Sequence, residues 1–568
     1  MKIKYTLLLL CFSPLFLVAQ IIDFTSTITP DLVTAYGEAA NHPGEGQYEI
    51  FLGNDGVLDK PIILIDGFDP GDTRSIAGLY SLLDYPSTSG TQNLADLVRA
   101  QGFDVVILNF PVYTRMADGA TVDGGADFIE KNAMLLVDLI EIINTAKAAN
   151  SPEQNVIIGP SMGGIIARYA LNFMEADAGR DADTRLFISF DSPHHGANVP
   201  IGLQHQLNYL AFNTLNPVTD IQPLIDGFLK SPAARQLLID HFEAHLLTGN
   251  DVDFDPAQTL PEAHPFRTIF TSDPNMAGFP TGIRQVAIMN GSGIGASYFA
   301  IGNSGTLVTP GFTVMDAMFQ VPAPPPFDFL NVDINIDINF GPVMNTTAQV
   351  SNIVIAPPFV TPTVSTANSQ SFPLVDGVDA APGGLFDLSG LTGGIGAGDP
   401  LAQDFLNALQ IDKFNFIPTV SALALEITDN TPIDWYHDIN LSGRATTNNT
   451  PFDNTFLPDA NEGHVELTQA NAEFALNEIS PSILGIDDVN VLSFKLENNP
   501  VTNEIVILSD TNMNAKVRVI DLTGKIVYNE AVSIDRRTSL PINLSAGLYV
   551  LDITSESNSN FKTKFIVR

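Results

Sequence analysis

One serine stands among small residues at the end of an apolar run, in Asn155-Val156-Ile157-Ile158-Gly159-Pro160-Ser161-Met162-Gly163-Gly164. Gly159 to Gly163 fits G-x-S-x-G, a pattern found nowhere else in the chain. The chemistry it could do is nucleophilic attack on a carbonyl. A serine on a sharp strand-to-helix turn is held in a strained backbone conformation, so its neighbours must be small, and its hydroxyl is lifted clear of the sheet. The same turn aims the N–H of Met162 at the point where an oxyanion would form. A second donor is expected from "ILIDGFDP", where Gly67 turns the chain after a strand and frees the N–H of Phe68.

A hydroxyl is a poor nucleophile without a base. The chain has nine histidines, and the last, His464 in "PDANEGHVELT", lies in a polar loop ahead of a helical stretch. It is the candidate base, with His437 in "DWYHDIN" in reserve. The acid that would orient it is open between Asp191, directly after "RLFISF", and Asp453 in "TPFDN"; Asp412 is a third candidate. The strand "IRQVAIM", the other natural place for an acid, ends in "NGSGIG" with no carboxylate.

Two other clusters invite a metal reading. His194 and His195 in "SPHHGANVP" are adjacent, but no second cluster has matching ligand spacing, so they are read as loop-ordering residues lining the site, with no metal. "DVDFDPAQTLPE" sets out Asp251, Asp253, Asp255 and Glu262 like a calcium loop, yet Pro256 occupies the place where such a loop needs glycine. No motif calls for an organic cofactor.

The elements that must position these residues follow from periodicity. From about residue 60, short all-apolar runs (61–65, 103–110, 155–159, 185–190 and 283–289) alternate with helical patterns at 126–147 and 163–175. Such strands imply a mostly parallel sheet covered on both faces, an α/β fold. A helical segment at 201–248 is placed to cap a site. A Pro- and Gly-rich, β-rich insertion follows at 305–400, in which "NVDINIDINF" alternates as a strand with one wet face. From about residue 485, short β runs separated by Asn, Gly and Ser predict a small all-β sandwich.

At 568 residues the chain is expected to form more than one domain. Its net charge of −38 argues against nucleic-acid partners and against docking on anionic lipid. Two lysines and an apolar stretch at 1–20 read as an export signal cut near Ala19 or Gln20. The single cysteine, Cys11, lies within it, so the mature chain is expected to lack disulfides. No later apolar run is long enough for a transmembrane anchor.

"ILIDGF", "GPSMGG" and "SFDSPHHGANVP" together resemble the α/β-hydrolase lipases and esterases. The resemblance covers about residues 60–300 and 410–480. It implies a catalytic domain over 21–484 in which Ser161, His464 and an Asp form a triad and Phe68 and Met162 form the oxyanion hole. It also implies an acyl-ester or lipid-like substrate. Asp66 stands where the family has the histidine of an H-G pair, and Pro160 replaces the histidine before the nucleophile. "NNPVTNEIVI", "VRVIDLTGKIV", "LSAGLYVLDI" and "KTKFIVR" resemble the C-terminal sorting domain of type IX secretion in Bacteroidetes. That implies a sorting domain over 485–568, the type IX machinery as partner, and a secreted or surface location. The reading is a serine hydrolase of carboxylic esters. Its rivals are an acyltransferase or polyester depolymerase with the same triad, and a non-catalytic adhesin on a hydrolase scaffold.

Overall fold

The computed structural model describes residues 20–214, 217–322, 331–355, 364–388, 400–425, 432–439, 449–480, 494–509, 512–521, 525–555 and 560–568. The export signal at 1–20 lies, but for Gln20, outside the described residues. The chain divides into two compact units, 1–479 and 480–568.

An eight-stranded sheet organises the first unit. In chain order its strands are β1 (Ile22–Thr25), β2 (Glu45–Phe51), β3 (Pro61–Ile65), β4 (Asp104–Asn109), β5 (Asn155–Pro160), β6 (Thr184–Phe190) and β7 (Arg284–Ile288). An insertion then supplies β8 (Thr313–Pro322), β9 (Asn331–Asn339), β10 (Thr347–Ile355), β11 (Val364–Gln370), β12 (Gly383–Asp387) and β13 (Lys413–Pro418) before the last sheet strand, β14 (Asn454–Phe456). The order across the sheet is β1-β2-β4-β3-β5-β6-β7-β14. From β4 to β14 every neighbouring pair is parallel; β1 and β2 extend one edge antiparallel.

The central strands β3 to β6 are mostly apolar because both their faces are covered. Ile63, Ile65, Val106, Leu108, Ile157 and Phe187 enter one buried cluster, with the helices Ile129–Lys147 and Met162–Ala176. Their neighbours Ile62, Leu64, Val105, Ile107, Ile158 and Ile188 enter a second cluster on the opposite face, closed by the helix Gln469–Ile479. A side chain alternates faces at each residue, so a strand buried on both sides must be apolar at every position.

The segment expected to cap the site is helical, with helices at Ile201–Phe212, Pro232–Leu237 and Phe242–His245. The insertion has a definite seat on it. Strands β8 to β11 form an antiparallel sheet. The helix Ile201–Phe212 packs against this sheet so closely that a Cβ on Gly202 would stand 2.3 Å from the Val350 carbonyl oxygen. Its buried His205 bonds Ser351 and Ser365 at 2.9 and 3.2 Å. On β9 the buried residues are Val332, Ile336 and Ile338, while Asp333, Asn335, Asp337 and Asn339 are half-exposed, as the alternation predicts. The hairpin of β12 and β13 then returns the chain to the central sheet.

In the second unit, a three-stranded and a four-stranded antiparallel sheet enclose one core built from both, including Ile505, Ile507, Val517, Val519, Leu551 and Phe565. This is the expected β-sandwich.

Candidate active site

Ser161 stands where β5 meets the helix Met162–Ala176, with φ 52° and ψ −130°. That conformation costs a non-glycine residue on the order of 1–3 kcal/mol and persists only where surrounding contacts impose it. The glycines around it permit the turn. A Cβ on Gly159 would lie 2.6 Å from backbone atoms of Gly163 and Gly164, and one on Gly164 would lie 2.0 Å from the Ser192 hydroxyl. The Ser161 N–H donates to the Phe190 carbonyl at 2.8 Å, pinning the turn to β6.

The Ser161 hydroxyl lies 2.9 Å from Nε2 of His464, and Nδ1 of His464 lies 2.7 Å from Oδ2 of Asp191. These three side chains come from positions up to 303 residues apart. Asp191 is buried (1% exposed). It follows β6 directly with φ 47°, and its N–H donates to the Ile288 carbonyl at the end of β7. The His464 and Phe416 rings meet edge to face, with centroids 5.0 Å apart.

The other acid candidates lie elsewhere. Asp453 caps the opposite end of β7, where its Oδ2 accepts from the Gln285 N–H at 2.8 Å. Asp412 accepts from the Gly302 N–H at 2.7 Å. His437, the reserve base, sits in the turn 432–439, its N–H donating to the Asp434 carbonyl. Neither His194 nor His195 lines the space at Ser161, which corrects that expectation. His194 bonds the Ser189 hydroxyl at 2.8 Å, and burial holds its pKa well below the ordinary histidine value. His195 bonds the Leu425 carbonyl at 3.0 Å, and burial lowers its pKa to about 4. In the calcium-like segment, Asp253 accepts from Ser365 and Asn250, and Asp255 from the Ala257 N–H, so these two carboxylates are engaged by protein donors.

The N–H groups of Phe68 and Met162 donate to no described residue. Gly67 brings the Phe68 peptide to the serine: a Cβ there would stand 3.1 Å from Cβ of Ser161. The loop is fixed from behind. Arg74 Nη2 donates to the Phe68 carbonyl at 2.8 Å and lies 3.1 Å from Oδ1 of Asp66, which also accepts from the Gly67 N–H at 2.7 Å. Burial raises the Asp66 pKa to about 7 against the opposing pull of Arg74. Where the lipase pattern has histidine, this chain thus has a buried carboxylate braced by a guanidinium.

Three residues of the site carry no sequence signal of their own. Asn290 occupies the end of β7 where a carboxylate is missing. Its N–H donates to Oδ1 of Asp191 at 3.2 Å, and its Nδ2 donates to Oε2 of Glu462 and the Glu466 carbonyl, both at 2.9 Å. It therefore holds Asp191 and the His464 loop together. Leu385 of β12 accepts from the His464 N–H at 2.8 Å. Gly384 lies on the Asp191 carboxylate, where a Cβ would fall 1.9 Å from Oδ2.

On the cap side the space at Ser161 is apolar. Phe68, Val199, Phe228, Leu238 and Phe416 line it there. Val199, Phe228 and Phe416 also border an adjoining space walled by Leu203, Leu207, Phe386, Phe405 and Phe414. Among the described residues, no helix is long and apolar enough to cross a membrane.

Two family models match the chain: a PGAP1-like alpha/beta domain over residues 61–219 and a secretion system C-terminal sorting domain over residues 499–568. No curated protein matches it. Among solved structures, a lidless alpha/beta serine hydrolase of Xanthomonas campestris shares 12% identity over 32% of this chain and 65% of its own, just under two thirds, with a TM-score of 0.21. The esterase Est1E of Butyrivibrio proteoclasticus shares 9% over 43% of this chain and 73% of its own, with a TM-score of 0.21. A Pyrobaculum calidifontis esterase shares 13% over 48% and 66%, with a TM-score of 0.24. At such scores the fold assignment rests on the sheet order and on the family models. The chain carries a PGAP1-like alpha/beta hydrolase domain and a type IX C-terminal sorting domain, and the latter implies passage through the secretion machinery to the surface or medium.

Proposed function

We propose that this chain is a secreted or surface-held serine hydrolase that cleaves carboxylic esters with an apolar acyl group. The observation that carries the reading is the continuous chain of short contacts from Ser161 through His464 to Asp191. Ser161 Oγ attacks the ester carbonyl while His464 Nε2 takes its proton. The tetrahedral oxyanion is held by the N–H groups of Phe68 and Met162. His464 then gives the proton to the departing alcohol, leaving an acyl-serine. Water attacks that acyl group by the same route, and Ser161 is regenerated with release of the acid. Asp191 accepts the Nδ1–H bond, fixing the tautomer and stabilising the imidazolium. The apolar walls beside Ser161 favour an acyl chain there, which supports a lipid-like ester. Asp191 beside His464 supports the hydrolase reading over the adhesin alternative.

The experiment is labelling by a fluorophosphonate probe together with p-nitrophenyl ester turnover. Wild-type protein is expected to label and turn over, and Ser161→Ala to do neither. If both proteins label equally, the hydrolase reading fails. Longer p-nitrophenyl esters are expected to be preferred over acetate; a preference for acetate would refute the apolar acyl site.

A further inference from the structure

A cavity of about 230 Å³ lies behind the wall of the catalytic space. The partition is one segment thick. Pro193, Ala197 and Val199 face the space at Ser161, whereas His195, Asn198 and Ile201 face this second cavity, and the two share no lining residue. Its lining differs from the all-apolar acyl side. Arg267 reaches it with a guanidinium that donates to the carbonyls of His195, Gln236 and Leu237 at 2.6, 3.2 and 3.3 Å. No carboxylate pairs with it among the described residues, and burial lowers its pKa to about 10. Asp240, Asp376 and Asp379 also line the cavity. Both oxygens of Asp379 are taken, by Asn198 and the Gly341 N–H. Asp240 accepts from His245 and from the Glu262 N–H, both at Oδ1, at the far end of the cap segment. Asp376 accepts a single bond, at Oδ1 from the Met344 N–H, and is next in sequence to Val375, which lines the cavity with Trp435. Trp435, the single tryptophan of the chain, and Ile433 supply an apolar wall.

These charges select by exclusion. A net anion would meet three carboxylates, and a net cation would meet an unpaired guanidinium. A hydroxyl suits both, since it accepts from Arg267 and donates to Asp376. A few fixed polar groups beside an aromatic face are the makings of an oriented small-molecule site. We propose that this cavity is a non-catalytic binding site for a neutral polyhydroxylated ring of monosaccharide size, laid against Trp435 and hydrogen-bonded between Arg267 and Asp376. This reading does not depend on the esterase chemistry at Ser161.

Because Trp435 is the only tryptophan, its emission in the full-length protein reports on this cavity alone. Titration with glucose, galactose, mannose, xylose and myo-inositol is expected to give a saturable emission shift with at least one of them, half-complete at about 1–10 mM. Acetate and methylammonium are expected to give none. Asp376→Ala should weaken the response about tenfold or more, while Ser161→Ala should leave it unchanged. Arg267→Ala would also remove three hydrogen bonds to backbone, so Asp376→Ala carries the test. The proposal is overturned by the absence of a saturable shift with all five polyols to about 100 mM, by an undiminished response in folded Asp376→Ala, or by saturation with acetate or methylammonium.

Discussion

Gly384→Ala tests the site from a position that never touches substrate. Gly384 has no positive φ to protect, so alanine fits its backbone, and the whole effect is steric. The added Cβ would stand 1.9 Å from Oδ2 and 2.8 Å from Cγ of Asp191. Ordinary carbon–oxygen contact is about 3.3 Å, so the carboxylate must retreat by about an ångström or more. Oδ2 is the oxygen that holds His464 Nδ1 at 2.7 Å. A displacement of that size breaks the hydrogen bond, and a misplacement of about 1 Å costs catalysis about 10²-fold. The ceiling is the effect of losing the acid's orientation altogether, about 10⁴-fold in kcat. The expected result is therefore a loss of about 10²- to 10⁴-fold in kcat on p-nitrophenyl esters, with KM nearly unchanged because the acyl walls are untouched. Circular dichroism and thermal melting would verify that the variant is folded. A folded Gly384→Ala enzyme with wild-type kcat would refute both the placement of β12 and the role given to Asp191.

Three further outcomes follow from the same geometry. Asp191→Asn should lower kcat about 10⁴-fold, whereas Asp453→Asn and Asp412→Asn should stay within about threefold of wild type in the same assay; equal losses would dissolve the distinction. Asp66, with its pKa raised to about 7, binds a proton in the folded state that the unfolded chain releases near the ordinary value of 3.8. Its contribution to stability is thus most favourable below pH 3.8 and is lost as pH rises to about 7. Melting of Asp66→Asn against wild type should therefore show a relative gain for the variant as pH rises through that window, worth at most about 4 kcal/mol; a pH-independent difference would contradict the burial argument. Gly202→Ala, whose Cβ would stand 2.3 Å from the Val350 carbonyl, should push the cap helix off the insertion sheet and lower stability by about 1–3 kcal/mol. A melting temperature equal to wild type would count against that packing.

Local pattern was enough for whatever is decided within a few residues. The all-apolar strands, the helices between them and the elbow at Ser161 were readable because burial on both faces and a strained turn each demand particular residues at each position. His464 was readable from its place in the chain. Which aspartate stands beside it was not, because that partner lies 273 residues away and either of two strand-end aspartates satisfied the local pattern. Only the parallel pairing of β6 with β7 and β5 brings Asp191 beside Ser161, while the same sheet carries Asp453 to its opposite end. The use of the insertion at 305–400 was equally hidden, since strand alternation fixes which face is wet and not what the dry face meets.

The missing carboxylate after β7 has a physical account that joins these pieces. With the acid moved one strand earlier, the end of β7 is left next to both the acid and the histidine loop. A carboxylate there would repel Asp191. An asparagine keeps the backbone N–H to Asp191 without a repelling charge and adds a side-chain amide to Glu462 and the Glu466 carbonyl, so one neutral residue steadies both Asp191 and the His464 loop. The His464 loop still needs support on its other side, and β12 supplies it through the Leu385 carbonyl. That strand is reached only after the insertion sheet has been laid on the cap helix. Cap, insertion and the His464 loop therefore follow in series along the chain, and loosening the cap should be felt at His464 through β12 as well as through the apolar walls.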